Sequence, residues 1–456
     1  MSKKVAFVSL GCKVNQYETN AMSQEFIKAG YTVVDYNEIA DIYVVNTCTV
    51  TNIADRKSRQ MLRRMKDINS SCVLVACGCY AQVAKDELQK IEEIDLIIGN
   101  NEKKDIVKIV EDYQNKLNAQ NKVKDNQNEE WANCKKNSVL ECNSIISDVM
   151  YQKEYVEFGT TTYTEKTRAV VKIQDGCDRF CSYCIIPYAR GRVRSRKPEN
   201  IIDEVRQIVK SGIKEVVITG IHIASYGKDF KLNIGLIDLL EELNKIEGLQ
   251  RIRLGSLEPM IITEEFTNRL AKLEKICNHF HLSLQSGCDE TLKRMNRRYT
   301  TKEFEKVTVL LRNKFPNVSL TTDIIVGFPG ETDEEFEKTY EFLKKISFYR
   351  MHVFKYSPRK GTKAAVMENQ VDGSVKEQRS KRLIDLSNEN EAFYNSEYIG
   401  KVVEVLFEER DGDYYKGHTK NYVEVWTYGD ELENQIVEVE VMEAGVGKIM
   451  GRVLNL

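Results

Sequence analysis

The sequence predicts a mixed α/β protein built from a doubly wound α/β domain, a partial (βα)6 barrel and a small β-barrel. In residues 1–105, short apolar runs alternate with amphipathic helical patterns, which is typical of a parallel sheet covered by helices. In residues 166–395 the same alternation returns with six apolar runs, which indicates a parallel barrel open on one side. Residues 396–456 carry short alternating strands separated by glycine-containing turns, as small closed barrels do.

The composition is that of a globular protein with several domains, since the 456 residues are 42% hydrophobic and 30% charged. The apolar run VAFVSL near the start is too short for a signal peptide, and no run of about 18 apolar residues follows. We therefore expect a cytoplasmic protein without a membrane segment. The net charge of −2 excludes binding of a polyanion through overall charge alone. Twelve cysteines in a reducing compartment favour metal or cluster ligation over disulfides.

The first domain is expected to place three cysteines at one edge of its sheet. The runs KVAFVSL, IYVVN, CVLVA and DLIIG are predicted parallel strands, and Cys12, Cys48 and Cys79 follow three of them. Ligands of open parallel sheets bind beyond the carboxyl ends of the strands, so these thiols are expected to converge. Cys77 competes with Cys79, but it lies nearer the strand proper, and Cys79 is preferred.

Residues 106–165 are predicted to be a linker or insertion, because much of this interval is rich in Asn, Lys, Gln and Glu and shows little periodicity. Cys134 and Cys142 lie in it. Unpaired surface thiols are the favoured interpretation, and a third metal site is the alternative.

The loop after the first strand of the partial barrel carries Cys177, Cys181 and Cys184, with gaps of three and two residues. In parallel barrels the chemistry lies at the carboxyl ends of the strands, so this is the expected active-site loop. Three thiolates on a four-iron cube leave one iron open. Zinc is the alternative, although its sites usually pair CxxC motifs or add histidine, and no histidine lies within thirty residues of Cys184.

Basic residues crowd beside the cysteine motifs and favour an anionic substrate, with solvated helix faces as the alternative. The three groups are Arg56, Lys57, Arg59, Arg63 and Arg64; Arg190, Arg192, Arg194, Arg196 and Lys197; and Lys293, Arg294, Arg297 and Arg298. The terminal barrel is acidic, with six Lys/Arg against thirteen Asp/Glu from Glu397 onward. Any RNA contact there is expected through a local patch of Lys416, His418 and Lys420.

The motif CDRFCSYC resembles the CxxxCxxC signature of the radical S-adenosylmethionine (SAM) enzymes, with Tyr183 at the usual aromatic position. That resemblance implies a [4Fe-4S] cluster whose open iron is chelated by SAM, which is cleaved to a 5′-deoxyadenosyl radical. The motifs GCKVNQYET, NTCTVT, GCYAQ, TGIHIASYG, RIRLGSLEP and DIIVGFPGET extend it to the radical SAM methylthiotransferase family, whose TRAM domain the terminal barrel resembles. The family resemblance implies a second [4Fe-4S] cluster on Cys12, Cys48 and Cys79, whose open iron handles the sulfur to be inserted.

Within that family, GCKVNQYE and TGIHIASYG are most similar to the branch that acts on N6-threonylcarbamoyladenosine (t6A) beside the tRNA anticodon. The resemblance implies conversion of t6A at position 37 to its 2-methylthio form, with an anticodon loop carrying t6A and an electron donor such as flavodoxin or ferredoxin as partners. The alternatives are isopentenyladenosine in tRNA, a ribosomal protein, and a non-catalytic RNA-binding protein with structural metal sites.

Two sets of residues are expected to position the substrates. The alternating arginines from Arg190 to Arg196 are expected to bind anticodon-loop phosphates. The residues expected to line the SAM pocket are Tyr183, Gly220, Glu258, Gln285 and Ile325.

Overall fold

The computed structural model describes residues 2–125, 143–158, 167–231 and 234–454. The chain divides into two compact units. The first comprises Met1–Thr162, Gly176–Asp178 and Ile185–Arg192; the second comprises Tyr163–Asp175, Arg179–Cys184 and Val193–Leu456. Among the described helices, none combines the length and apolar character needed to cross a membrane.

The first unit is built on a six-stranded parallel sheet with helices on both faces. Its strands are β1 (Lys4–Ser9), β2 (Thr32–Val34), β3 (Ile42–Thr47), β4 (Val73–Gly78), β5 (Leu96–Ile98) and β6 (Asn143–Ile145). Its helices are α1 (Lys13–Lys28), α2 (Asn52–Ile68), α3 (Cys79–Val83), α4 (Lys85–Leu88), α5 (Ile106–Asp125) and α6 (Ile186–Arg190).

The strand order β2-β1-β3-β4-β5-β6 confirms the doubly wound architecture. Every residue of β3 and β4 is buried, because hydrophobic clusters cover both faces of the sheet. The order reverses between β1 and β3, and the carboxyl ends of strands at such a switch point form the crevice where open α/β sheets bind ligands.

Part of the interval expected to be a linker is folded. Helix α5 packs Ile106, Val110 and Tyr113 into the core beneath the sheet, and β6 extends the sheet by pairing with β5. These three residues follow a helical period that the polar composition around them obscures. Cys134 and Cys142 lie outside the described residues.

The second unit contains the remaining helices and two sets of strands. The first set is β7 (Arg168–Asp175), β8 (Arg194–Ser195), β9 (Glu215–Gly220), β10 (Arg251–Leu254), β11 (His279–Gln285), β12 (Ser319–Val326) and β13 (Arg350–Lys355). The helices are α7 (Pro198–Lys210), α8 (Leu236–Asn244), α9 (Glu264–Leu270), α10 (Asp289–Arg294), α11 (Thr301–Lys314), α12 (Asp333–Ile346) and α13 (Gly373–Ser396). The second set is β14 (Val402–Asp411), β15 (Tyr414–Thr419), β16 (Glu424–Tyr428), β17 (Ile436–Ala444) and β18 (Ile449–Val453).

The first set forms the partial barrel. Strands β7, β9 and β10 pair in parallel, as do β11, β12 and β13, and isolated parallel bridges join the two groups. These six strands match the six predicted runs; the two-residue strand β8 is an antiparallel addition that the sequence analysis did not include. One face of the last three strands packs Leu282, Ile324 and Met351 into the helix-covered core. The opposite face carries polar side chains, because successive strand residues point to opposite sides.

The second set closes into a five-stranded barrel in the order β14-β15-β16-β18-β17, which confirms the predicted terminal β-barrel. The loop between β15 and β16 carries Tyr422, whose ring stacks on His279 at 4.8 Å and lies under the Arg253 guanidinium at 4.6 Å. His279 begins β11, so this loop packs against the amino-terminal end of the partial barrel. This loop does not cover the opposite, carboxyl ends of the barrel strands, which are therefore available for a binding site.

Candidate cluster sites at the carboxyl ends of the strands

The structure brings together the three cysteines of the first unit. Cys12 caps the start of α1 after β1, Cys48 follows β3, and Cys79 begins α3 after β4. Gly11 has a φ of +93°, and a Cβ atom built on it would lie 2.5 Å from Cys48 Sγ. Only glycine fits such a close approach in this backbone conformation. The turn after β1 therefore lies directly against the Cys48 sulfur.

The electrostatics of these thiols fit a cationic ligand. Burial raises the pKa of Cys48 to about 11, and the neighbouring Cys79 and Cys12 sulfurs act in the same direction. Several thiolates close together repel one another, so they ionise together only when a metal centre compensates their charge. The arrangement of three sulfurs thus has the chemistry of a metal-cluster site.

Cys77, the competitor of Cys79, is a core residue. Its side chain is fully buried within β4 among the apolar residues under the sheet. Burial raises the pKa of the Cys77 thiol to about 12. Its place in the apolar core puts the Cys77 sulfur out of reach of a ligand in the crevice, which favours Cys79.

Arg190 is fully buried and does not lie where phosphate could reach it. Its Nε–H donates to Cys79 Sγ at 3.3 Å, while Nη1 donates to Glu18 Oε1 at 2.6 Å and Nη2 to Asn15 Oδ1 at 2.8 Å. Lys103 Nζ donates to the second oxygen of Glu18 at 2.6 Å. A connected polar group therefore lies behind Cys79, and all its members belong to the first unit.

The prediction that the arginines from Arg190 to Arg196 bind phosphates is wrong for three of the four. Arg194 is 2% exposed, with Nη2 3.7 Å from an Asp175 oxygen, and Arg196 is 3% exposed in an ion pair with Glu204. Arg192 is 53% exposed. An alternating run shows that these side chains share a face, but it does not show whether that face is solvated.

The second cysteine group lies in the loop between β7 and α6. The Cys177 N–H, in the first unit, donates to the Gly191 carbonyl at 3.0 Å. In the second unit the Cys184 N–H donates to the Cys181 carbonyl at 2.9 Å, and Arg297 Nη1 donates to Cys181 Sγ at 3.3 Å. All three thiols are partly exposed, so a ligand from solvent can reach them.

The structure places the expected SAM-pocket residues of the barrel at strand ends. Gly220 ends β9, Gln285 ends β11, and Ile325 precedes the last residue of β12. Glu258 follows β10, and Tyr183 packs edge-on against Phe328 beside Ile325. Gln285 has a φ of +74° at an irregularity in the pairing of β11 with β12, which turns its side chain out of the strand alternation.

Glu258 is already engaged by residues that the sequence analysis missed. Its carboxylate pairs with Arg179 and lies 3.2 Å from His222 Nε2. These contacts hold the pKa of Glu258 below its usual range despite burial. Gln174 Oε1 accepts a hydrogen bond from the backbone N–H of His222 at 2.7 Å. Two signals in the sequence could have identified these residues. Arg179 lies within the cysteine loop, and His222 comes just after Gly220.

A further polar cluster was missed on the inner face of the barrel. His281, Asp323 and His352 lie on three adjacent strands, with their ligand atoms within 4.8 Å of one another. His281 Nε2 is 3.2 Å from Asp323 Oδ2. The signal was present as polar residues alternating with apolar ones in HFHLSLQ. Such a trio is capable of binding a divalent cation.

The proposed patch on the terminal barrel is used for packing inside the second unit. The His418 carbonyl accepts from Arg251 Nη1 at 2.8 Å, and the Lys420 carbonyl accepts from Arg253 Nη1 at 3.0 Å. Lys416 is ion-paired with a glutamate of the neighbouring strand. The backbone of His418 and Lys420 thus packs against β10, and RNA contact through the three side chains stays a prediction.

Helix α2 keeps its basic character on the surface. Arg56, Lys57, Arg63 and Arg64 are exposed, while Arg59 is partly covered and donates to the Tyr80 hydroxyl at 2.6 Å. The apolar side of α2, including Leu62 and Met65, packs on the sheet. The amphipathic pattern thus presents cations to solvent.

Comparisons with known proteins agree with this architecture. The sequence model of the radical SAM superfamily matches residues 171–343. The sequence model of the family described as "Uncharacterized protein family UPF0004" matches residues 4–99. A solved structure of the radical SAM methyltransferase TsrM from Kitasatospora setae has a TM-score of 0.58 and 14% identity, covering 80% of this chain and 77% of that one. The partial barrel, the cysteine loop and the match to the superfamily model together define the class of protein. The chain is a radical SAM enzyme.

Two curated relatives identify the family. The threonylcarbamoyladenosine tRNA methylthiotransferase MtaB of Bacillus subtilis (strain 168) is 42% identical over 97% of this chain and 94% of its own length. The tRNA-2-methylthio-N(6)-dimethylallyladenosine synthase of Alkaliphilus oremlandii (strain OhILAs) is 33% identical over 100% of this chain and 93% of its own. The chain belongs to the radical SAM methylthiotransferase family. SAM and two [4Fe-4S] clusters are the cofactors of that family, and two separate sets of three cysteines fit that requirement.

Proposed function

We propose that the protein is a tRNA methylthiotransferase that replaces the hydrogen on C2 of t6A, at position 37, by a methylthio group. The observation that carries this proposal is the near full-length similarity to the Bacillus subtilis enzyme named for threonylcarbamoyladenosine. The relative named for dimethylallyladenosine is less similar, at 33% identity. Isopentenyladenosine is therefore the second candidate base, and the chemistry is the same.

The reaction requires cofactors because the C2 position of adenine has neither an acidic proton nor a leaving group for side chains to act on. Cys177, Cys181 and Cys184 hold one cluster, and Cys12, Cys48 and Cys79 hold the other. When bound, the clusters supply reductive cleavage of one SAM and a site for the sulfur that a second SAM methylates. With the base, two SAM and one sulfide-level sulfur as reactants, the products are S-adenosylhomocysteine, 5′-deoxyadenosine, methionine and the 2-methylthio base.

The protein's own residues bind and orient the reactants. Gly220, Glu258, Gln285 and Ile325 line the SAM pocket, together with Tyr183 from the cysteine loop. Their positions at strand ends support this assignment, since parallel barrels carry their chemistry there. Packing of the terminal barrel against the amino-terminal ends of the strands leaves the carboxyl ends for SAM and the base.

The RNA substrate is the anticodon loop, and the exposed cations of α2 bind its phosphates. Single-stranded loops present unstacked bases that a protein can take up individually, and phosphate contacts position them. The four exposed cations of α2 support this role, whereas the terminal barrel is acidic overall. An electron donor such as flavodoxin or ferredoxin supplies the electron for SAM cleavage.

The proposal is tested by gain of function in a bacterium that makes t6A but not its methylthio form. The tRNA nucleosides are analysed by mass spectrometry after expression of the protein. We expect a new nucleoside heavier than t6A by one methylthio group in place of hydrogen. The variants Cys181→Ala and Cys48→Ala are the matched controls and should yield no new nucleoside.

Other results would contradict parts of the proposal. A methylthio group on isopentenyladenosine, with t6A untouched, would make the second candidate base correct. A protein that holds iron and cleaves SAM but modifies neither base would refute tRNA as the substrate.

A further inference from the structure

Arg190 and Arg297 each contact a cysteine sulfur, and both were expected from the sequence to belong to basic groups facing an anionic substrate. Arg190 donates to Cys79 Sγ and Arg297 to Cys181 Sγ, each at 3.3 Å. Each contact joins a guanidinium N–H to one cysteine of a different group. A guanidinium is always charged and gives directed N–H donors, so it suits an anionic sulfur.

Arg190 belongs to a buried group of charged side chains. Arg190 and Lys103 both bind Glu18, so two positive charges and one negative charge form a single hydrogen-bonded group. The side chains of all three are at most 1% exposed. Buried charges are costly unless they are paired and hydrogen-bonded, and Arg190 directs one of its N–H donors at the Cys79 sulfur.

From this arrangement we propose that Arg190 is a positioning residue that raises the reduction potential of the cluster held by Cys12, Cys48 and Cys79. Hydrogen bonds to the sulfurs and nearby positive charge both stabilise the more negative, reduced form of a cluster. The contact also fixes the orientation of Cys79. The inference rests on the proposed function only insofar as these cysteines hold a cluster.

The test is a redox titration of full-length, cluster-loaded protein followed by electron paramagnetic resonance. Cys177, Cys181 and Cys184 are replaced by Ala in every sample, so that the reducible centre followed is the one at Cys79. For Arg190→Gln we expect the ratio of reduced to oxidised centres at a fixed potential to fall at least tenfold, equivalent to about 59 mV for one electron. Arg192→Gln, two residues further along the chain and exposed, is the matched control and should leave the ratio unchanged.

Two further variants distinguish an electrostatic effect from general damage. Lys103→Met removes a cation and should shift the potential in the same direction as Arg190→Gln. Glu18→Gln removes the anion and should shift it in the opposite direction. If the Arg190→Gln variant loses its iron, its reduction potential cannot be measured. The Lys103→Met and Glu18→Gln variants keep the Arg190 side chain, and they then test the electrostatic effect.

The inference is overturned if Arg190→Gln retains its iron with an unchanged potential, or if the Lys103 and Glu18 variants shift the potential in the same direction or not at all. Its failure is distinct from failure of the proposed function. If the protein with intact Arg190 bound no iron at Cys79, the cluster assignment itself would be wrong. A bound cluster with an insensitive potential would refute only the role of Arg190.

The same reasoning applies to Arg297 in the second unit. Besides Cys181 Sγ, its guanidinium donates to the Ser283 carbonyl and the Tyr299 hydroxyl, each at 2.9 Å, which holds it in place. In full-length protein with Cys12, Cys48 and Cys79 replaced by Ala, Arg297→Gln should lower the potential of the remaining centre. An unchanged potential overturns the inference for this centre.

Discussion

Neutralising the exposed cations of α2 tests whether this helix binds the RNA backbone. The perturbation replaces Arg56, Lys57, Arg63 and Arg64 by Gln, and it leaves Arg59 with its Tyr80 contact. Each phosphate contact on a single strand contributes about 0.7 to the slope of log affinity against log salt. Four lost contacts should therefore reduce the slope by about 3.

The size of the effect follows from that slope. Between 50 and 200 mM salt, log salt changes by about 0.6, so the wild type should lose roughly 50-fold more affinity than the variant over this interval. The assay is fluorescence anisotropy of a labelled anticodon stem-loop carrying t6A, measured at several salt concentrations. Substituting Gln for Arg or Lys preserves good helix propensity, so α2 should stay folded.

A matched control removes the same charge elsewhere. Lys302, Lys306, Lys344 and Lys345 are exposed on α11 and α12, on the outer helix layer of the partial barrel. Their replacement by Gln should leave the slope close to that of the wild type. Equal slopes for the α2 variant and the wild type, or an equal reduction in the control, would refute the reasoning.

The remaining predictions concern the clusters and the packing of the terminal barrel. Cys181→Ala should abolish formation of 5′-deoxyadenosine, whereas Cys48→Ala should retain it and stop thiolation; loss of both activities in Cys48→Ala contradicts this division. Gly11→Ala should reduce iron from about eight to about four per chain, because the added Cβ occupies the space of Cys48 Sγ. Gly30→Ala, also at positive φ but with no atom within 4 Å, should keep all of its iron, and equal losses would refute the steric argument. Tyr422→Ala should lower the free energy of unfolding by about 2–4 kcal/mol, because its stacking and cation–π contacts are lost, and Tm should fall. An unchanged Tm would mean that these contacts do not stabilise the fold.

The sequence predicted the architecture well in segments where one local pattern, such as the alternation of apolar residues, was clear. The six runs of the partial barrel and the strands of the terminal barrel were found because apolar alternation depends on neighbouring residues only. The pattern failed at α5, where Ile106, Val110 and Tyr113 carry the helical period within a polar stretch. It also failed at β8, which is too short to show any period.

At the candidate site, too, some features could be predicted from the sequence and others could not. The Cys79 position could be preferred over Cys77 from the turn that follows the strand, and the structure places Cys77 in the core. The roles of the arginines could not be predicted, because charge by itself does not distinguish a solvated cation from a buried one. Arg190 finds Glu18 at a separation of 172 residues along the chain.

By itself, the sequence determined the three architectures, the six cysteines at strand ends and the family resemblance, since all of these are written in short stretches of neighbouring residues. Only the tertiary structure decided which cations face solvent, which contact sulfur, and that the loop carrying Tyr422 packs against one end of the partial barrel. The physical reason is that the cost of burying a charge depends on partners brought together by folding. Those partners, such as Glu18 for Arg190 and Glu204 for Arg196, leave no periodic trace in the chain.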